Sequence, residues 1–357
     1  MDDGLRHSLL DAEHRALGGR MVPFGGWEMP LRYGSVLDEH RACREAAVVF
    51  DVSHLGSVWV RGPGALAALQ NLLTNDLERI EPGRAQYTHL LDETDAHVVD
   101  DIIVWWLGHE EFLVIPNASN TAPALNALGE AAAAAPGGAE VEEVTGRRSF
   151  LAVQGPDARE RVREVSKEAA GVPHFGVVRS GDIIAGGTGY TGEDGVELYL
   201  PENAAVTVWR ALVAAGCTPA GLGARDTLRL EMGYPLHGHE LGPGVTPLQA
   251  GLGWVVGWGK PAFRGRAALL AERERGPTRR LIGIELDDRQ VPREGCAVLV
   301  GGEPAGEVTS GNLSPALGRG IALAFLPPGT KPGTAVEVDI RGRLAPGRVV
   351  KPPFVKR

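Results

Sequence analysis

The chain has 357 residues, enough for two or three domains and a sizeable core. Its formal charge is −9, from 36 Lys+Arg against 45 Asp+Glu, and no basic tract could neutralise a phosphate backbone, which argues against a nucleic-acid partner. Hydrophobic residues at 43% and charged residues at 23% are those of a soluble globular protein, and 49 Gly with 25 Pro call for many turns rather than disorder.

The start, MDDGLRHSLLDAEH, is acidic and lacks the basic and apolar regions of a signal peptide. No apolar run approaches the roughly 20 residues of a membrane helix. Cys43, Cys217 and Cys296 stand far apart without C-x-x-C spacing, so they are expected to be packing residues in a reduced, cytoplasmic setting.

Along the chain, SVLDEHRACREAAVV at 35–49 has helical spacing with an N-terminal Ser and early acids, the marks of a capped helix. SVWVRG at 57–62 alternates like a strand, and GPGALAALQNLLTND at 62–76 returns to helix. Strand-like segments follow at 86–91, 98–106 and 111–116, then a helix at 119–134 that runs out through AAAAAPGGA. SFLAVQ at 149–154 reads as a strand, while DIIAGG and VELYLP flank the turn TGYTGEDG at 188–195 as a hairpin. Short helices and strands interleave without the βαβ rhythm of a parallel sheet, so the expected fold class is α+β. Beyond AERERGPTRR at 271–280 come only short strand-like pieces, so 281–357 is expected to be a small all-β domain and 1–275 the remainder. There is no repeat of fixed period, which sets aside solenoids and propellers.

GTGYTG at 187–192 matches G-x-G-x-x-G in form, but it leads into the strand-like EDGVELYL rather than a helix N-terminus, so it is not expected to hold a dinucleotide. WGKP at 258–261 lacks the glycine spacing and the Ser/Thr of a phosphate loop. HGHE at 237–240 would place His237 and His239 on one face if extended, yet loop histidines are usually solvated, and no metal site is expected. In GLGARDTLRLEMGYPLHG, 221–238, Asp226 and Arg229 have the attractive i,i+3 spacing of an ordinary salt-bridged helix surface. Arg225 is less ordinary, because a cation at a helix start opposes the dipole and needs another reason to be there.

VVDDIIVWW at 98–106 sets two acids inside an apolar run. Neighbours on a strand point to opposite faces, so Asp100 and Asp101 are expected to do different jobs, one toward solvent or a backbone donor and one toward the interior. Burying a carboxylate costs several kcal/mol unless something pairs with it. A solvated strand-start cap would account for the pair without any function. The spacing makes one acid special without saying which.

The chain resembles the glycine cleavage system T-protein family, the tetrahydrofolate-dependent aminomethyltransferases. The resemblance is carried by MVPFGGWEMPLRYGS at 21–35, FDVSHLG at 50–56, LLTND at 72–76, GRAQYT at 83–88, VVDDIIV at 98–104, TGYTGEDGVELYLP at 188–201, GLGARDTLRLEMG at 221–233, TSGNLSPALGRGIALA at 309–324 and KPPFV at 351–355. It implies a cloverleaf of two interleaved α+β subdomains followed by a β-barrel-like C-terminal domain around a folate channel. The reaction it implies moves an aminomethyl carbon from the dihydrolipoyl arm of H-protein to tetrahydrofolate and releases ammonia.

By the same resemblance Asp101 is the catalytic acid, facing the channel with Asp100 on the other side. A carboxylate beside folate N5 can orient it, accept a proton and stabilise developing positive charge. Glu197 matches the pterin-binding glutamate, whose carboxylate can accept two pterin N–H bonds at once. Tyr87, Tyr190, Tyr234 and Trp254 match aromatic positions that wall the ring, Asn117 a polar channel residue, and Leu55 the common Met beside the folate. Arg225 fits the folate glutamate carboxylate or the charge balance of the site, which would explain its position.

Departures from the family pattern are Ala96 and His97 in place of Gly-Gly, Leu55 for Met, HGHE for Tyr-Gly-Gln-acid, and Lys356 for the C-terminal Arg. They bear on donor choice more than on fold. Two alternatives therefore stand beside aminomethyl transfer: a folate-dependent demethylase acting on a small methylated donor, and a folate-binding accessory protein without transferase activity. The second would carry a Lys-Gly-Cys motif near 259–269, where GKPAFRGRAAL has no cysteine.

Overall fold

A computed structural model describes residues 4–357; the first three residues of the acidic start lie outside them. Residues up to Leu90, Asp100–Arg225 and Gly257–Arg264 form one compact unit. Leu91–Val99, Asp226–Val256 and Gly265–Arg357 form a second, so the C-terminal strands group with segments that precede them in sequence.

The first unit is built on two larger sheets. Six strands lie in the order Val177–Ser180, Ile183–Gly186, Gly195–Pro201, Arg148–Gln154, Val48–Asp51, Thr218–Pro219. Five others lie in the order Arg84–Leu91, Val98–Gly108, Glu111–Ile115, Val58–Arg61, Glu140–Glu143. Most of the central strands are buried and apolar, and the helix Glu202–Ala214 covers one face of the six-stranded sheet with Ala205, Val208, Trp209 and Leu212. Their i, i+3, i+4, i+7 spacing puts all four on one stripe against Leu151, Val153, Val196 and Leu198. A fully buried side chain of this size contributes about 1.5–3 kcal/mol.

Trp105, from the five-stranded sheet, meets Phe150 of the six-stranded sheet edge to face at 5.5 Å, and Phe150 in turn meets Tyr199 at 5.7 Å. Gly186 makes room for the indole: a Cβ there would sit 2.4 Å from the ring. The tryptophans that follow the two acids thus act in packing.

Element boundaries differ from expectation where local chemistry intervenes. The helix expected over 35–49 is Val36–Glu45, because the β-branched pair Val48 and Val49 enters the strand Val48–Asp51. The helix expected from 119 is Thr121–Ala134, preceded by a short 3-10 turn at Ala118–Asn120; Pro123 falls in its first turn, where its missing N–H costs nothing. Ile183–Gly186 and Gly195–Pro201 pair antiparallel, as the expected hairpin.

In the second unit six strands close a barrel in the order Arg280–Leu286, Arg319–Leu326, Glu303–Ser314, Ala297–Val300, Ala335–Ile340, Arg343–Val350. Alternate residues such as Ile284, Leu286, Val336 and Val338 fill its interior.

The helix Leu222–Glu231 carries the pair Asp226 and Arg229, joined at 2.8 Å. The pairing is as expected, but Arg229 is not on a surface. It is buried and also donates to Glu240 at 3.1 Å, to the Tyr234 carbonyl at 3.0 Å and to Ser310 at 2.7 Å. The acid Glu240, itself fully buried, is what holds the guanidinium inside. Among the described residues no helix is long and apolar enough to cross a membrane.

Candidate active site

Asp100 and Asp101 lie on the strand Val98–Gly108, Asp100 fully buried and Asp101 partly exposed. The neighbouring strand Glu111–Ile115 runs antiparallel with Ile103 opposite Ile115, so continuing that register brings Asn117 opposite Asp101. Asn117 Nδ2 lies 2.9 Å from Asp101 Oδ1 and 2.8 Å from Asp100 Oδ1. Its backbone N–H donates to Asp100 Oδ2 at 3.0 Å, and Asn120 Nδ2 donates to Asp100 Oδ1 at 2.7 Å. The two acids therefore differ in exposure, as strand alternation requires, but they are not separated: the chain turns at Asn117 and one amide reaches both.

Burial first, and the charge of Asp101 second, push the Asp100 carboxyl up to about 8, against the pull of the Asn120 and Asn117 donors. Its ordinary value is 3.8. The folded chain therefore holds this proton more tightly than the unfolded chain, and the stability it supplies declines as pH rises from about 4 through about 8. Urea unfolding should show the native chain losing stability between pH 5 and pH 8 relative to an Asp100→Asn variant, which has nothing there to ionise. Parallel pH profiles for the two would contradict this.

Tyr87, on the strand Arg84–Leu91, donates its hydroxyl to Asp101 Oδ2 at 3.0 Å. Its ring is expected as a wall, and its polar end orients the acid. Burial in the first place, then the nearby Asp101 charge, holds its own pKa well above 10. His89, two residues on and so on the same face, has Nε2 3.3 Å from the Tyr87 oxygen.

A second group surrounds Glu197 on the strand Gly195–Pro201. Thr188 donates to Glu197 Oε2. Burial raises the Glu197 pKa, while the Thr188 hydrogen bond and the charge of Arg225 oppose the rise. Arg225 has its guanidinium carbon 4.9 Å from the centre of the Tyr190 ring, and its Nη1 is buried with no hydrogen-bond partner among the described residues. The awkward cation near the helix start is thus offset by Glu197 and an aromatic face. Tyr190 also acts electrostatically on Tyr87, which ties this group to the Asp101 group.

The turn that carries Tyr190 is fixed by Gln154, which accepts from Thr191 at 2.8 Å and donates to the Thr188 carbonyl at 3.2 Å. A Cβ at Gly189 would lie 2.0 Å from Gln154 Oε1, and one at Gly187 2.0 Å from the Pro173 carbonyl oxygen. The glycines of GTGYTG serve close packing ahead of a strand. His54 packs edge to face on Phe24 at 5.3 Å, and burial followed by the Arg225 charge lowers its pKa to about 4. Leu55, partly exposed beside it, precedes Gly56, whose N–H donates to the Pro116 carbonyl at 2.8 Å. Gly56 is thereby anchored one residue before Asn117.

Asp101, Asn117, Tyr87, Tyr190, Glu197, Arg225 and Leu55 all belong to the first unit. Tyr234 and Trp254 belong to the second, where they are 37% and 67% exposed. His237 and His239 do not share a strand face, because Gly238 at φ 93° turns the chain between them. His239 Nδ1 lies 3.1 Å from the Thr309 carbonyl and 3.4 Å from Glu294, and the Nε2 of His237 is buried without a partner among the described residues. Ala96 takes a left-handed φ of 60°, the conformation that glycine favours, and His97 binds Asp95 at 2.7 Å. Sequence reasoning did not single out His89, Asn120, Thr188 or Gln154. The spacing of Tyr87 and His89 on one strand face was the one available signal for His89.

Residues 10–260 match the family described as the GCVT N-terminal domain, and residues 279–356 that of the glycine cleavage T-protein C-terminal barrel domain. An aminomethyltransferase of Mycobacterium tuberculosis (strain ATCC 25618 / H37Rv) is 48% identical over 365 residues, covering 98% of this chain and 97% of its own. One from Moorella thermoacetica is 45% identical over 363 residues, covering 99% and 98%. The crystal structure of glycine cleavage system aminomethyltransferase T from Bartonella henselae, at 32% identity, gives a TM-score of 0.93 over 98% of each chain. Fold and sequence agree along the whole chain, which belongs to the glycine cleavage T-protein family and is an aminomethyltransferase.

Proposed function

We propose that this aminomethyltransferase takes its one-carbon unit from the dihydrolipoyl arm of H-protein, in the cytoplasm, and passes it to tetrahydrofolate with release of ammonia. The observation that carries this reading is the Asp101 carboxylate, partly exposed and held from both sides by Tyr87 and Asn117. Two donors keep it oriented, so it can accept a proton or steady a developing cation without reorganising.

Tetrahydrofolate, when bound, supplies the nucleophilic nitrogen. Glu197 is suited to the pterin N–H groups, with Thr188 steadying its Oε2 and Arg225 balancing its charge. The unpartnered Nη1 of Arg225 offers a donor to a ligand acceptor, which fits an anionic or carbonyl-bearing molecule. Tyr190 and Leu55 supply apolar surface within the first unit. For Tyr234 and Trp254 the role of folate contact rests on the family resemblance and on their exposed aromatic faces. Buried Cys43 and Cys217, neither in a disulfide, suit a reducing compartment.

Titration of tetrahydrofolate against a Glu197→Gln variant tests the folate assignment. A charged hydrogen bond is worth about 1.5–3 kcal/mol, so affinity should fall about 10- to 100-fold. Unchanged affinity would remove Glu197 from the folate site.

A further inference from the structure

We propose that His89 is a positioning residue for the transfer, donating Nε2–H to the Tyr87 oxygen so that the single Tyr87 proton is committed to Asp101. The inference rests on the reading of Asp101 as the catalytic carboxylate. Tyr87 Oη has one proton and two lone pairs. Asp101 Oδ2 at 3.0 Å and His89 Nε2 at 3.3 Å both lie within reach of it. If Nε2 carried a lone pair, the phenol could turn away from Asp101 and leave that oxygen without its donor.

The surroundings of the imidazole decide which tautomer is present. His89 is fully buried, and its Nδ1 has no hydrogen-bond partner among the described residues. A proton on Nδ1 would be a buried donor with no acceptor, whereas a proton on Nε2 has the Tyr87 oxygen. The Nε2–H tautomer is therefore favoured. Burial also holds the His89 pKa down to about 3, so the ring stays neutral and the tautomer persists at physiological pH.

The backbone that carries the ring is held on both sides. The His89 N–H donates to Thr74 Oγ1 at 3.0 Å, and the Thr74 N–H donates to the His89 carbonyl at 3.0 Å. Tyr87 and His89 also meet edge to face, with centroids 5.3 Å apart. A hydrogen bond received at its oxygen makes the Tyr87 O–H a stronger donor, so His89 acts on Asp101 through Tyr87 and touches no reacting atom. Asn117 and the neighbouring Asp100 also face the Asp101 carboxylate.

A mutant cycle tests this. His89→Leu should lower kcat about three- to tenfold, the worth of one neutral hydrogen bond, and leave KM for tetrahydrofolate within about twofold. His89→Gln, whose amide can donate along the same line, should restore most of the rate. The double variant Y87F/H89L should be no slower than Y87F, because His89 has nothing to act through once the hydroxyl is gone. Additive losses in the double variant, or an H89L enzyme with native kcat, would overturn the inference. If H89L does not fold, H89N, polar but too short to reach the phenol, makes the same comparison. Asp101→Asn, assayed alongside, separates the two readings. Turnover surviving in that variant overturns the catalytic assignment and this inference with it. A silent D101N beside a native H89L overturns this inference alone.

Discussion

Replacing Asp101 with Asn is expected to lower the single-turnover rate about 10²- to 10⁴-fold, the range of a lost general base or charge stabiliser. The substitution keeps the size and most of the contacts. Its carbonyl oxygen can accept from Asn117 as Asp101 Oδ1 does at 2.9 Å, while its amide replaces the oxygen that accepts from Tyr87 at 3.0 Å. What disappears is the negative charge and the ability to take a proton. The Asp101 charge is also the second-largest influence raising the pKa of Asp100, so the variant should ionise Asp100 at a lower pH than the native chain does. Rapid-quench rates check the first half, and the pH dependence of the unfolding midpoints checks the second. A D101N enzyme with native turnover would remove Asp101 from the chemistry.

The largest effect on stability is expected at Arg229. Arg229→Met should destabilise the fold by about 3–5 kcal/mol, because it leaves Glu240 buried without its counter-charge. The methionine also fails to replace the donors to Ser310 and the Tyr234 carbonyl. Neutralising the acid as well, in R229M/E240Q, should recover part of the loss, since no charge is then stranded. Urea midpoints with an unchanged m-value measure both variants. A native midpoint for R229M would mean that the pair contributes nothing beyond the bulk it fills.

Much of this architecture was legible in the sequence because it rests on local patterns. Short apolar runs marked the strands Val98–Gly108 and Arg148–Gln154, and the charged Gly-Pro stretch at 271–280 preceded the barrel strands. The glycines of GTGYTG lead into the strand Gly195–Pro201, as expected, and Gly187 and Gly189 answer to the close approach of the Pro173 carbonyl and Gln154.

What was not legible depends on contacts distant in sequence. Strand alternation correctly gave Asp100 and Asp101 different exposure, but it could not show that Asn117, 16 and 17 residues on, binds both. The i,i+3 spacing of Asp226 and Arg229 was visible, yet burial of Arg229 depends on Glu240 and on Ser310 from a barrel strand. Gly238 bends HGHE out of the extended form that would have aligned its histidines. The i,i+2 spacing of Tyr87 and His89 put them on one strand face, but it could not show that the His89 ring reaches the Tyr87 hydroxyl. Glu197 stands out in the sequence through family resemblance and Arg225 already through its place at a helix start, for which the structure adds the reason.

The most direct test of the account is ammonia release in a single turnover, with this protein mixed with aminomethylated, lipoylated H-protein in the presence and absence of tetrahydrofolate. The account predicts rapid release that depends on tetrahydrofolate, with one equivalent of methylenetetrahydrofolate formed. No release from that donor, in a chain that still binds tetrahydrofolate, would contradict it and direct the search to small methylated donors.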